Sequence, residues 1–249
     1  MRVRFCEPPA ELRRCFTSFY LVEIDSPAGV MLADHLHPEW GNLRFFHGSC
    51  PVAEGANGDR IDQASFCATG PSSRAVRFTV GPARMWGVGL LPLGWARFVA
   101  QPAAELADRV VDGATHPAFA PFAQLAQGLF GPKPDPAGEL ARIGAHFTAR
   151  ATKSLAGEAQ IVALHAALVD PEVASARALA ERTGLSQRTV ERIAAGPSVL
   201  PPSCCCGASG SCAAWRNTCS TLRSNGSARW MGTITTRPSS CATSASSWG

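Results

Sequence analysis

Over the first hundred residues, apolar and polar positions come in short runs close to period two. Residues 18–24 (SFYLVEI), 42–46 (NLRFF), 75–80 (AVRFTV) and 85–91 (MWGVGLL) are rich in aromatic or β-branched side chains, and clusters of Gly, Pro, Asn and Ser separate them. This spacing predicts strands in a small barrel, a sandwich or a half-open sheet. Residues 11–17 (ELRRCFT) predict a short opening helix. From Pro102 the period lengthens. Ala103, Leu106, Val110 and Val111 predict a helix over 102–111, and Phe122, Leu125, Leu129 and Phe130 another over 119–130. After the Pro-rich break at 131–138 (GPKPDPAG), amphipathic helices are predicted over 139–150 and 156–168, the latter with Ile161, Leu164 and Leu168 on one face. Asp170-Pro171 is a turn that opens the next unit.

Residues 172–195 read EVASARALAERTGLSQRTVERIAA. Val173, Ala176 and Ala180 form an apolar stripe at helical spacing, with Leu179 beside it. Gly184 stands where a helix ends in positive φ. Ser186 is suited to cap a second helix, and Leu185 with Val190 makes a hydrophobic staple across that cap. Val190 and Ile193 are expected inward, and Gln187, Arg188, Thr189 and Arg192 outward. Two helices joined by a short Gly-containing turn make a helix-turn-helix, whose second helix enters the major groove of double-stranded DNA by its N-terminal residues. In that geometry Arg188 pairs with guanine and Gln187 with adenine, while Arg192, one turn on, reaches phosphate. The candidate DNA-binding residues are therefore Ser186, Gln187, Arg188, Thr189 and Arg192. The competing reading is an ordinary helical hairpin; the turn together with the basic outward face favours DNA.

The wording LAERTGLSQRTVERI resembles the first helix-turn-helix of AraC/XylS-type transcriptional regulators over about two dozen residues. The pattern departs at Ala194, where that family has an aromatic. Pro8-Pro9, Leu12, Phe19-Tyr20 and His37-Pro38-Glu39-Trp40-Gly41 are similar, more loosely, to the β-rich N-terminal domain of a subgroup of those regulators. The resemblance implies a non-enzymatic, cytoplasmic regulator whose N-terminal domain senses a small-molecule effector or forms a homodimer. It implies no cofactor, and a second helix-turn-helix of about fifty residues after the first.

Composition changes the picture at that point. Across 249 residues there are 23 Lys+Arg, 19 Asp+Glu and 10 Cys, for a net charge of +4. Residues 197–249 hold Arg216, Arg223, Arg229 and Arg237 and no Lys, Asp or Glu, so the entire excess lies there and residues 1–196 are neutral. Six of the cysteines, Cys204, Cys205, Cys206, Cys212, Cys219 and Cys241, lie there too. A stretch of Ser, Thr, Gly, Pro and Ala with so little apolar surface is expected to be disordered. Three adjacent cysteines lack the spacing that wraps a tetrahedral zinc.

The genetic code offers an origin for this tail. Trp230-Met231-Gly232 must be encoded TGG-ATG-GG, which regroups one base earlier into Asp-Gly. Common GC-rich codons extend this to a string of the form HYHDQAQFVRDF. Cys204-Cys205-Cys206 as TGC-TGC-TGC regroups into a Leu run followed by RRQRF. Both strings resemble the second half of an AraC-type DNA-binding domain, in the right order. A frameshift near 194–197 that replaced the second helix-turn-helix accounts for them and for Ala194; the competing reading is a natural low-complexity tail.

The expected class is thus α+β: a β-rich sensor or dimerisation domain (1–100), a helical connector (101–170), a partial all-α helix-turn-helix (171–196) and a low-complexity tail (197–249). No apolar run reaches the roughly 18 residues of a membrane span. The first dozen residues carry no continuous apolar segment of a secretory signal, which points to reduced thiols. A second reading, from another class, is a cupin-like metal- or ligand-binding protein or enzyme, with His35, His37, Glu39 and His47 as the candidate cluster. Their bland reading is polar loop residues with Trp40 covering a barrel end. A third is a dimerisation partner that does not bind DNA. Cys6, Cys15, Cys50 and Cys67 read as small core residues. The GANG stretch at 55–58 lacks the Lys of a phosphate loop and reads as a surface turn.

Overall fold

The computed structural model describes residues 1–195 apart from positions 28, 100, 153, 171 and 174. The expectations for the tail, its disorder and its cysteine triplet included, lie outside the described residues.

Among the described residues, ten strands form two antiparallel sheets. They are β1 (Arg2–Cys6), β2 (Phe16–Ile24), β3 (Leu32–Leu36), β4 (Asn42–Gly48), β5 (Val52–Glu54), β6 (Arg60–Asp62), β7 (Phe66–Thr69), β8 (Val76–Val80), β9 (Ala83–Leu90) and β10 (Val110–Asp112). The six-stranded sheet runs β1-β2-β9-β4-β7-β10, and the four-stranded sheet runs β3-β8-β5-β6. With β1 and β10 set aside as additions at the two edges, the order β2-β9-β4-β7 against β3-β8-β5-β6 is that of a jelly roll. Of the three predicted arrangements, a small barrel, a sandwich or a half-open sheet, the structure has the two-sheet sandwich.

The helices are α1 (Pro92–Phe98), α2 (Ala123–Gly128), α3 (Pro136–Arg150), α4 (Glu158–Leu168), α5 (Ala176–Thr183) and α6 (Gln187–Ala195). Two predicted helices fail. Residues 11–17 form only a 3-10 turn at Ala10–Leu12 before strand β2 begins at Phe16. Residues 102–111 form a 3-10 turn at Ala103–Leu106 and then β10, which pairs with β7 and carries the β region past residue 100. Apolar residues three and four apart also occur where a turn feeds a strand, and pairing with a neighbouring strand overrides so short a helical signal.

The six-stranded sheet is covered on both faces, so its strands are apolar at both parities. Phe19, Leu21, Leu43, Phe45, Phe66, Trp86 and Val88 belong to the main core, together with Trp95, Phe98, Phe119, Phe122, Ile143 and Phe147 from the helical layer. Alternate positions face the second sheet: Val22, Ile24 and Met85 gather with Val80, and Cys67 and Val110 with Ala53, Ile61 and Val76. Helix α3 starts where Asp135 accepts from the Gly138 amide at 3.0 Å with Pro136 at its first position. It lays Glu139, Ile143 and Phe147, each 0% exposed, in one stripe on the sheet. Glu139 is held there by both terminal nitrogens of Arg84 (2.9 Å each) and by the Trp86 indole N–H (2.8 Å). The main core continues into the last three helices through Ile161, Leu164, Leu168, Leu179, Val190 and Ile193.

Candidate nucleic-acid interface

Helix α5 begins at Ser175, whose hydroxyl accepts from the Ala178 amide at 3.1 Å. It ends at Gly184, at φ +67°, with the Leu185 amide returning to the Ala180 carbonyl at 3.2 Å. A left-handed residue closing a helix is the role in which glycine carries no Cβ penalty. Three residues, Gly184, Leu185 and Ser186, join α5 to α6. The Ser186 hydroxyl accepts from the Thr189 amide at 3.1 Å and lies 2.8 Å from the Thr189 hydroxyl, which fixes the start of α6. Leu179, Ala180, Val190 and Ile193 are buried, and Leu185 packs half-buried against the same core.

Ser186, Gln187, Arg188 and Arg192 are all exposed on the opposite side. Thr189 differs from expectation: it is half-buried and its hydroxyl turns back onto Ser186, so it completes the cap instead of facing outward. Glu191, which sequence reasoning passed over, is exposed and accepts from the Gln187 side-chain Nε2 at 3.1 Å, one turn apart. Other cations of this region are neutralised by acids: Arg177 pairs with Glu181 (2.8 Å) and Arg182 with Asp170 (2.8 Å). Arg188 and Arg192 therefore carry the outward positive charge of α6, tempered by Glu191.

The three-helix unit is anchored to the rest of the chain. Glu158, in the first turn of α4, pairs with Arg97 of α1 and, at 3.4 Å, with Arg14. Arg97 also donates to the Ala151 carbonyl at 2.8 Å. The Trp40 ring meets the His165 ring edge-on, with centroids 5.3 Å apart.

A second polar cluster lies between the sheets. Glu39 and Arg44 form a buried ion pair at 2.5 Å. Asn42 donates to the other Glu39 oxygen at 3.0 Å, Arg44 donates to Thr69 at 3.2 Å, and the Tyr20 hydroxyl donates to Asn42 at 3.1 Å. Burial pushes the Tyr20 phenol up, with Arg44 opposing it. For Arg44, burial opposes the charge but the Glu39 carboxylate outweighs it and holds the guanidinium firmly protonated. The sequence signal for this cluster was Arg44 at an inward parity in the apolar run NLRFF, five residues after Glu39.

The candidate metal residues separate. His35 on β3 and His37 are exposed, Glu39 is committed to Arg44, and exposed His47 on the other sheet lies beside Phe130, with ring centroids 5.3 Å apart. Among the described residues, no three His, Cys, Asp or Glu side chains gather as a metal site. Cys15 and Cys67 are buried; burial pushes the Cys15 thiol up to about 11 and the Cys67 thiol higher, so neither is primed as a nucleophile. No helix among the described residues is long and apolar enough to cross a membrane. Comparison with protein-family models, with curated proteins and with solved structures finds no match to this chain.

Proposed function

We propose that this chain is an AraC-like, non-enzymatic transcriptional regulator that binds double-stranded DNA through α5 and α6, with its reading capacity cut short by the tail. One observation carries the reading: a helix capped by Ser186, two residues after a left-handed Gly184, presents Gln187, Arg188 and Arg192 to solvent while Val190 and Ile193 are buried behind them. That division is what a groove-reading helix requires. Gln187 and Arg188, in its first turn, carry donor and acceptor patterns suited to adenine and guanine. A small-molecule effector, a homodimer and a cytoplasmic location accompany this proposal through the family resemblance. The jelly-roll order of the sheets is shared with cupins, but fold alone does not confer a metal site, and the candidate ligands stand apart.

One reading helix gives few phosphate and base contacts, so specific affinity is expected to be weak. The test has two steps. Sequencing the gene establishes whether the codons of 197–249 regroup into the second DNA-binding half; codons that do not regroup sink the frameshift. A duplex selected from a random pool by the frame-restored protein is then titrated with both forms. We expect this chain to bind at least about tenfold more weakly, with Arg188→Ala abolishing what selectivity remains. Equal affinity of the two forms would defeat the claim of impairment. A frame-restored protein that selects no duplex would defeat the DNA reading itself.

A further inference from the structure

Three consecutive residues reach three different parts of the molecule. Glu39 points between the sheets, where both its oxygens are taken by Arg44 and Asn42. Trp40, 4% exposed, belongs to the core on the helical side and sets its ring edge-on to His165 of α4. Gly41 lies against the Trp95 ring of α1 so closely that no Cβ would fit. The backbone between them is pinned. The Glu39 amide donates to the Ser72 hydroxyl at 3.0 Å, its carbonyl accepts from the Ser72 amide at 2.9 Å, and the Gly41 carbonyl accepts from the Leu90 amide at 2.7 Å. Residues 39–41 therefore have little freedom to absorb a change on one side without passing it to the other.

We infer that Glu39–Trp40–Gly41 is a mechanical junction through which the pairing state of Glu39 and Arg44 between the sheets sets the packing of α4, and with it α5 and α6. The structure holds the paired arrangement, and coupling between distant elements requires a second one, in which Glu39 is released from Arg44. Release frees the carboxylate that fixes the first residue of the segment. Trp40 then loses its fixed angle on His165, and α4 loses the aromatic contact that joins it to the junction. Its apolar packing through Ile161, Leu164 and Leu168 remains, as does the pairing of Glu158 with Arg97 and Arg14 at the opposite end of the helix, which does not pass through the junction. Helix α3 is fastened separately by Glu139 and serves as an internal reference.

Backbone hydrogen exchange on the full chain, without DNA, tests this apart from the DNA-binding proposal. Glu39→Gln keeps size and hydrogen-bonding capacity but removes the charge. We expect amides in 158–195 to exchange at least about tenfold faster while those in 136–150 keep their rates. Trp40→Leu should give the same pattern without changing β4 and β7, and the double variant should exchange no faster than the faster single one. If Glu39→Gln does not fold, Thr69→Val replaces it; removing one hydrogen-bond partner of the pair, it should accelerate 158–195 about threefold. Faster exchange confined to β4 and β7, or strictly additive effects in the double variant, would overturn the inference and leave the polar cluster a purely local feature of the sandwich.

Discussion

The two faces of the six-stranded sheet each bury one carboxylate against one arginine, yet the two pairs join different things. Between the sheets, Glu39 meets Arg44 five residues away, and Asn42, Thr69 and Tyr20 complete the set. On the helical face, Glu139 meets Arg84 fifty-five residues away, with Trp86 as a third donor. The first pair specifies how the chain enters β4. The second fastens α3 to β9. A buried ion pair adds little stability compared with apolar residues of the same shape, but losing one partner costs much more, because the other stays buried and uncompensated. Both pairs are therefore better understood as devices that admit one arrangement and penalise others.

The sharpest way to break the comparison is Glu139→Ala. It leaves the Arg84 guanidinium with Glu23 at 3.5 Å as its remaining carboxylate and the Trp86 N–H without its acceptor beneath α3, and should cost about 3 kcal/mol, read as a lower urea midpoint. Glu139→Gln, which keeps acceptor and shape, should cost less than half of that. A Glu139→Ala variant with an unchanged midpoint would mean that α3 is held by Ile143 and Phe147 alone. For the inner pair, Glu39→Leu or Arg44→Met alone should each be destabilising, and the double replacement should be milder than either single one. Because Asn42 and Thr69 then lose partners, the double variant is not expected to exceed the parent in stability.

How much of this was legible in the sequence depends on the range over which each signal acts. The cap at Ser186, the left-handed Gly184 and the burial of Val190 and Ile193 are decided within a few residues, and reading them needed no tertiary knowledge. Strands β2, β4, β8 and β9 were legible because their apolar runs are long. Strands β5, β6, β7 and β10 are three or four residues each, too short to carry a period, and exist because a neighbouring strand pairs with them. Nothing local marks Glu139 as the partner of Arg84 and Trp86 across the fold, whereas Glu39, which reads as a candidate ligand or a polar loop residue, has Arg44 at an inward position five residues on as its one local signal. His35 and His37 looked like a chelating pair because alternation puts both on one face, but the face they occupy is the outer one.

Acid should separate the two faces further. On the helical side His146 sits against Phe122 and Phe147, with ring centroids at 5.8 and 5.3 Å. Burial, aided by the Arg150 charge, lowers its pKa from 6.5 to about 4. The folded state thus takes up this proton later than the unfolded state, so stability is complete above pH 6.5 and falls as pH drops from 6.5 towards 4. Burial would raise the Glu139 pKa, but hydrogen bonds from Arg84 and Trp86 outweigh it and hold the carboxyl below its usual 4.5. Its contribution is complete at neutral pH and is lost as pH falls below 4.5 through that lowered value. His146→Phe should flatten the thermal midpoint between pH 6.5 and 4 and leave the steeper loss at lower pH in place. A profile identical to the parent's would place the proton elsewhere.

The smallest effects should come from the helix pair that carries the proposed DNA contact. Ser186→Ala removes the acceptor for the Thr189 amide and should cost about 1 kcal/mol, the ordinary value of a cap. Gly184→Ala forces a Cβ into positive φ and should cost about as much. Neither residue lies against the sandwich, so both changes should appear as faster amide exchange in 176–195, with the β-strand amides unmoved. If either variant instead lowered the global midpoint by several kcal/mol, α5 and α6 would be as integral to the fold as α3. Their outward residues would then sit on a surface that moves only with the whole molecule. A local effect, by contrast, leaves the helix pair free to adjust on a groove while the sandwich keeps its shape, and that is the behaviour the contrast between the tightly fastened α3 and the lightly tied α6 leads us to expect.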